Sequence, residues 1–166
     1  MAPIALFSHP PAPMPHFEPR DPAFASRVRA SFARQTLMTT IGARLTRVTP
    51  GEVEIELPFR EDLGQQHGFM HGGIVTAIVD TACGYAALSL MEPEAAVLTV
   101  EFKLNFVSPA RGERFVARGR VTKPGRILTV CQGDVVALNG TEEKSVATML
   151  ATMMAVRERG DLPGGI

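Results

Sequence analysis

Two patterns of apolar and polar residues stand out along the chain. From Ile74 to Met91 almost every side chain is small or apolar. This run is too long for a typical strand, and it predicts a helix that is buried on nearly all sides. Between Glu52 and Phe59 apolar residues alternate with glutamates, which is typical of an antiparallel strand with one buried face. Together the two patterns predict a buried helix packed against a sheet.

Turn residues divide the rest of the chain into short elements. Asp21-Pro22 suits a helix start, and the sequence predicts an amphipathic helix at 23–35 and a strand at 41–48. Four more strands are predicted after Pro93, at 96–107, 113–122, 126–138 and 144–156. Asn139-Gly140 is a strong tight-turn dipeptide, so the last two strands should form a hairpin. The short connections favour an α+β fold in which an antiparallel six-stranded sheet wraps round the long central helix.

The length of 166 residues suits a single domain with its own core. Residues 1–20 hold six of the 13 prolines, and we expect them to form a mobile or loosely docked arm. The domain is expected at 21–159. Residues 160–166, rich in Gly and Pro, are expected to form a frayed tail.

Charge and cysteine content narrow the class of protein. Seventeen basic and 17 acidic residues give a formal net charge of zero, whereas nucleic-acid binding calls for a basic excess. Cys83 and Cys131 form no CxxC motif, so we expect both to be reduced core residues of a cytoplasmic protein. The start of the chain lacks a cationic segment, so a signal peptide is not expected. Asp80, within the long apolar run, favours a core helix over a membrane span.

The strongest functional signal is a single acid in the buried helix, preceded by a polar, Gly-rich loop. Asp80 is the only charged residue between Ile74 and Met91, and a buried carboxylate is costly unless a function needs it. The loop before the helix contains His67 and His71, with three glycines and two glutamines. The glycines indicate a loop, and a third ligand is not evident, so we expect no metal site.

The order of the elements, together with HGGIVTAIVD at 71–80, resembles the hotdog-fold acyl-CoA thioesterases of the PaaI type. In that family HGG opens the central helix and an acid follows nine positions after its His, as Asp80 follows His71. A polar amide lies fifteen residues before the acid; here it is Gln65, where many members carry Asn. The resemblance covers about residues 35–156. It implies hydrolysis of acyl-CoA without a metal or other cofactor, by homodimers or dimers of dimers.

Two residues are candidates for the central chemistry. Asp80 would act as the base or the nucleophile; the alternative is a structural carboxylate bonded to backbone amides or to Thr76. The backbone N–H of Gly72, at the helix N-terminus, would stabilise the developing oxyanion; the alternative is a glycine needed only for close packing. Eight residues of helix place the two about 12 Å apart. If both act on one carbonyl carbon, they must come from two chains.

Other residues near the site are expected to have supporting or structural roles. His71 would orient the loop or polarise the leaving group. Thr99 resembles a hydroxyl residue that some relatives use to hold water. Strand alternation places Thr99 with Glu101 on the face turned away from its own helix, so we expect it to reach only a neighbouring chain's site. Cys83, in an apolar setting, is expected to be a packing residue and not a nucleophile.

Basic residues cluster between 111 and 126, where six of the 17 lie: Arg111, Arg114, Arg118, Arg120, Lys123 and Arg126. Arg114, Arg118 and Arg120 share one face of a strand, and this face is either exposed to solvent or a phosphate-binding site. The resemblance implies that CoA binds at the turn 123–126 and around 107–111. The candidate CoA-binding residues are Val107, Ser108, Pro109, Arg111, Lys123, Gly125 and Arg126.

Three functions compete at this stage. An acyl-CoA thioesterase is the first, and a non-catalytic acyl-CoA sensor on the same fold is the second. A sensor should carry an added DNA-binding domain or lack the acid, whereas this chain keeps Asp80. A hotdog hydratase, the third, needs an Asp and His pair on a different motif. The acyl group, aryl or fatty, is not readable from the sequence.

Overall fold

The computed structural model describes residues 17–157. Helix α1 spans Phe24–Ala33, α2 spans Thr36–Ile41, and the central helix α3 spans Gly72–Leu88. The sequence prediction lacks α2, because its residues TLMTTI are mostly β-branched and favour a strand. Within residues 17–157, no helix combines the length and the apolar character that crossing a membrane requires.

The six strands are β1 (Arg44–Thr49), β2 (Glu52–Pro58), β3 (Ala95–Phe106), β4 (Arg114–Lys123), β5 (Leu128–Asn139) and β6 (Glu142–Arg157). They form one sheet in the order β1-β2-β4-β5-β6-β3, and all neighbours are antiparallel. Asn139 pairs with Glu142 across the predicted hairpin turn. The predicted α+β architecture is confirmed, with β3 at one edge of the sheet.

Helix α3 lies on one face of this sheet and contacts all strands from β2 to β6. Two strand glycines make the close approach possible. A Cβ atom at Gly119 would lie 2.3 Å from the carbonyl carbon of Ala82, and one at Gly133 would lie 2.5 Å from Cγ2 of Val79. Any side chain at these two positions would therefore push the helix away from the sheet.

One arginine of helix α1 forms hydrogen bonds to the C-terminal end of α3. The Nη2 group of Arg27 donates to the carbonyl oxygens of Leu88 at 3.0 Å and Met91 at 2.9 Å, which lie at the last residue of α3 and just beyond it. Arg27 also forms an ion pair with Asp21 at 3.0 Å. This attachment fixes α1 beside the second half of α3.

The two ends of the chain were predicted to be loosely attached. Phe17 packs against the hydrophobic core, and Arg20 forms an ion pair with Glu92 at 3.3 Å. The end of the predicted arm is thus docked, while residues 1–16 and the predicted tail lie outside the described residues.

The face of the sheet opposite α3 carries cross-strand ion pairs. Three arginines of β4 lie next to the three glutamates that alternate with apolar residues along β2. The pairs are Glu56–Arg114, Glu54–Arg118 and Glu52–Arg120. These arginines have carboxylate partners within the chain, which favours the structural interpretation of this face over a phosphate site.

Candidate active site

Asp80 lies half-buried in the middle of α3 and faces one specific partner. The hydroxyl of Thr99 on β3 donates to its Oδ1 atom at 2.9 Å. The alternative partner, Thr76, instead donates to the carbonyl oxygen of Gly72 at 2.8 Å. Burial raises the pKa of Asp80, and the Thr99 hydrogen bond partly offsets this by stabilising the ionised form. A carboxylate in this setting is a stronger base than an ordinary surface aspartate.

The expectation that Thr99 points away from its own helix is wrong. Thr99 pairs with Met153 and Glu101 pairs with Thr152, so Val100 is an extra residue in β3. Such a bulge breaks the strict alternation of side chains. Thr99 therefore lies on the helix side, and Glu101 lies on the opposite face, where it accepts a hydrogen bond from Thr152 at 2.6 Å. The register that produces this switch depends on pairing with β6 and is not visible in β3 alone.

A cavity of about 530 Å³ opens beside Asp80 and Thr99. One wall is a stripe of α3, formed by Asp80, Thr81, Gly84, Tyr85 and Leu88. The other walls come from α1 and from the start of β3. The carboxylate thus lies next to a space large enough for a small organic group.

The entrance of α3 is built by the HGG segment. His71 is the N-cap of the helix, and its Nδ1 atom accepts a hydrogen bond from the N–H of Gly73 at 2.9 Å. Gly72 is the first helical residue, so its N–H has no acceptor within the helix. The ring of Phe106 lies against Gly72, since an added Cβ atom would be 2.9 Å from its Cζ atom. Gly72 therefore offers a backbone N–H that can donate to a ligand, and it also packs closely against Phe106. His71 holds the loop in place.

Gly72 and Gln65 share a second, open cavity of about 440 Å³. Its lining includes Val107, Ser108 and Pro109, which follow β3. The side-chain oxygen of Gln65 accepts a hydrogen bond from the N–H of His67, so this amide also shapes the loop. Asp80 and Gly72 therefore line different cavities of one chain, in agreement with their predicted separation along α3.

The candidate CoA-binding residues fall into two groups at opposite ends of α3. Val107 to Arg111 lie near its first residue, whereas Gly125 and Arg126 line a cavity with Met91, just beyond its last. Gly125 is required by the turn itself, because an added Cβ atom would lie 2.0 Å from the carbonyl oxygen of Leu128. The 17 residues of α3 separate the two groups by about 25 Å.

The basic residues of these two groups differ from those of the sheet. Arg111, Lys123 and Arg126 are exposed. Within residues 17–157, none of the three forms an ion pair with another described residue. All three are therefore free to contact an anionic ligand.

Comparison with known proteins shows the family of this chain. Residues 67–144 match the Thioesterase superfamily. The crystal structure of a thioesterase family protein from Silicibacter pomeroyi is 56% identical, and the match covers 81% of this chain and 99% of that one with a TM-score of 0.80. The chain belongs to the thioesterase superfamily.

Two further proteins are similar to this chain. Human acyl-coenzyme A thioesterase 13 is 30% identical over 92 residues, which are 55% of this chain and 65% of that protein. The PaaI protein of E. coli, at 18% identity, shares the fold with a TM-score of 0.73 over 80% of this chain and 93% of its own. The predicted hotdog fold and thioester hydrolase activity are thereby confirmed.

The sequence interpretation of this thioesterase missed the residues that shape the cavity beside Asp80. The hydroxyl of Tyr85 accepts a hydrogen bond from Nε2 of Gln35 at 3.0 Å and lies 3.2 Å from the hydroxyl oxygen of Ser31. These contacts join α3 to α1 and to the N-cap residue of α2, and no local sequence motif predicts them. Cys83, by contrast, is buried as expected, and burial raises the pKa of its thiol well above the usual value. It remains a protonated packing residue.

Proposed function

We propose that this thioesterase hydrolyses acyl-CoA, releasing a free aryl or fatty acid and CoA. The observation that carries the proposal is the Asp80–Thr99 pair, a half-buried carboxylate held at 2.9 Å by one hydroxyl beside a cavity. The name of the human relative, acyl-coenzyme A thioesterase 13, supports CoA as the thiol part of the substrate.

The chemistry follows from the position of the carboxylate. Ionised Asp80 either attacks the thioester carbonyl carbon itself or removes a proton from a water molecule that attacks it. In both routes the C–S bond breaks and CoA leaves as the thiol after protonation. If water attacks, the free acid forms directly. If Asp80 attacks, the acyl group is first held on Asp80 as a mixed anhydride, which water then hydrolyses to the free acid and the regenerated carboxylate. Thr99 keeps Asp80 oriented and favours its ionised form. The proposed reaction uses water and the protein's own groups, with no metal or other cofactor.

The oxyanion that forms during this attack needs a donor from a second chain. The N–H of Gly72 points out of the helix start, about 12 Å along α3 from Asp80. Edge strand β3 offers a surface for a second chain, because Phe102 and Phe106 are 43% and 53% exposed along it. Antiparallel pairing of two β3 strands would bring Asp80 of one chain towards Gly72 of the other. We therefore propose a homodimer with two shared sites.

The same dimer accounts for the two separated CoA groups. In an antiparallel pair, the turn at Lys123, Gly125 and Arg126 of one chain approaches the segment Val107 to Arg111 of the other. Gln65 and His71 would hold the Gly72 loop in position.

Leu98 and Leu150 are also exposed on the outer face of the sheet, and covering them in a dimer of dimers would remove apolar surface from water. A cytoplasmic location suits the two free cysteines.

The test is release of free thiol from a panel of acetyl-, hexanoyl-, palmitoyl-, benzoyl- and phenylacetyl-CoA. Hydrolysis of at least one substrate by the purified protein, abolished in Asp80→Asn, supports the proposal. Tight binding of an acyl-CoA without thiol release would favour the sensor instead. Sizing by light scattering in the same buffer reports the number of chains.

A further inference from the structure

Gly84 is a glycine in the middle of α3 that neither backbone conformation nor packing explains. Its φ is not positive, so alanine would fit the helical backbone. A Cβ atom at Gly119 or Gly133 would collide with a neighbour, whereas one at Gly84 would meet nothing within 4 Å. A glycine inside a helix costs about 1 kcal/mol relative to alanine. The feature that Gly84 does provide is open space on the surface of α3.

That space lies one helical turn beyond Asp80. Residues four apart lie on the same side of a helix, and both Asp80 and Gly84 line the cavity of about 530 Å³. The cavity continues past Gly84 to Leu88, which is about 12 Å from Asp80 along the helix axis. An acyl group whose carbonyl carbon lies at Asp80 and which extends into the cavity must pass over Gly84.

The opposite wall is held at a fixed distance from Gly84. The hydroxyl of Tyr85, next to Gly84, lies 3.2 Å from the hydroxyl oxygen of Ser31 on α1, and Nη2 of Arg27 on α1 donates to the carbonyl oxygen of Leu88 at the end of α3 at 3.0 Å. Helix α1 therefore cannot easily move in to fill the space or move out to enlarge it. The width of the passage is set by these contacts and by the missing side chain of Gly84.

We infer that Gly84 determines the size of acyl group that this thioesterase accepts. The inference rests on the proposed function, in which Asp80 reacts with the thioester. A methyl group at position 84 would enter the passage without touching Asp80 or Thr99, because an added Cβ atom has no neighbour within 4 Å. The larger isopropyl group of valine would fill more of the passage. Small acyl groups would still fit, and acyl groups that reach beyond the first turn would not.

The experiment measures kcat/KM of the full-length protein for acetyl-, butanoyl-, hexanoyl- and benzoyl-CoA in the wild type, Gly84→Ala and Gly84→Val. The expected result is a loss that grows with acyl size. For Gly84→Val, the benzoyl-to-acetyl ratio of kcat/KM should fall at least about tenfold, which is about 1.4 kcal/mol of selectivity. For Gly84→Ala this ratio should fall less, and the Tm of the variant should equal or exceed that of the wild type.

A second pair of variants narrows the cavity from the other wall. Ala30 on α1 lines the cavity, whereas Ala33 on the same helix is exposed and does not line it. Ala30→Leu should show the same dependence on acyl size, and the matched control Ala33→Leu should keep the wild-type ratios. This pair decides the question even if Gly84→Val does not fold.

The outcomes separate the two proposals. A wild type that releases thiol from no acyl-CoA overturns the proposed function and the inference with it. An active wild type whose Gly84 variants lose the same factor on every substrate overturns the inference alone. Loss of the dimer on sizing, with equal losses on all substrates, would assign Gly84 to contact between chains and would also overturn it.

Discussion

The hydroxyl of Thr99 lies 2.9 Å from the carboxylate of Asp80 in the same chain. The bond joins the centre of the buried helix to the edge strand of the sheet, 19 residues later. The Thr99 hydroxyl can donate one hydrogen bond, and its nearer acceptor is Oδ1 of Asp80, since the sulfur of Met153 lies at 3.5 Å. The pair gives the buried acid a fixed orientation on the side of the 530 Å³ cavity.

Asp80→Asn should lower kcat by at least about a hundredfold while the fold is kept, because the amide can neither attack nor accept a proton. Thiol release from the best acyl-CoA of the panel measures the effect. Activity within a few-fold of wild type would remove Asp80 from the mechanism.

The same variant should show a stability difference that depends on pH. Burial raises the pKa of Asp80 in the folded protein, so ionisation opposes folding once the pH exceeds the ordinary aspartate range. Asp80→Asn removes this cost, and its Tm should exceed that of wild type near pH 7. The difference should shrink as the pH falls through the folded pKa towards the ordinary aspartate value. A variant that is less stable at every pH would indicate a structural carboxylate.

Thr99→Val should shift the rise of kcat/KM with pH to higher pH. The Thr99 hydrogen bond lowers the pKa of Asp80, so its removal leaves burial unopposed and Asp80 ionises later. Thr99→Ser, which keeps the hydroxyl, should restore a profile close to that of wild type. An unchanged pH profile in Thr99→Val, whatever the loss in rate, would show that the bond does not control Asp80.

Lys123→Ala with Arg126→Ala should raise KM for acyl-CoA about tenfold, or about 1.4 kcal/mol, and leave kcat nearly unchanged. A thioester of pantetheine, which lacks the nucleotide phosphates, should be hardly affected. The matched control removes two exposed basic residues elsewhere, Arg29 and Arg44, and should change neither substrate. Equal effects of the Lys123 and Arg126 changes on both substrates would argue against a phosphate contact.

Subunit mixing tests the shared site. Asp80→Asn keeps Gly72 intact, and Gly72→Val keeps Asp80 intact while it disturbs the oxyanion donor. Each variant alone should be nearly inactive. After free exchange, half of the dimers are mixed and each has one intact site, so about a quarter of wild-type activity should return.

The control for this experiment is the fold of Gly72→Val. An added Cβ atom would lie 2.9 Å from the ring of Phe106, and the proposed dimer places this ring at the contact between chains. Circular dichroism and sizing must therefore show that Gly72→Val is a folded dimer before its mixture with Asp80→Asn is interpreted. If the variant is folded, exchanges freely and recovers no activity with Asp80→Asn, the two groups do not share a site between chains.

The local sequence determined the type of a secondary-structure element wherever a single physical requirement was strong enough to fix it. A run from Ile74 to Met91 without a second charge can only be buried, and its length requires a helix. The hairpin turns at Gly140 and Thr141, between the paired residues Asn139 and Glu142, and Gly140 supplies the positive φ of 55° that the tight turn needs. The spacing of His71 and Asp80 needs no tertiary information, because both belong to one helix and its cap.

Tertiary structure decided which side chains meet. Thr99 faces Asp80 only because pairing with β6 forces a bulge at Val100, and a strand read alone alternates without interruption. The cavity lies between α3 and α1, and Arg27 holds α1 there by hydrogen bonds to carbonyl oxygens 61 and 64 positions away along the chain. The proposed role of Gly84 depends on its position beside that cavity. A glycine has no side chain, so the sequence alone gives no chemical sign of this role.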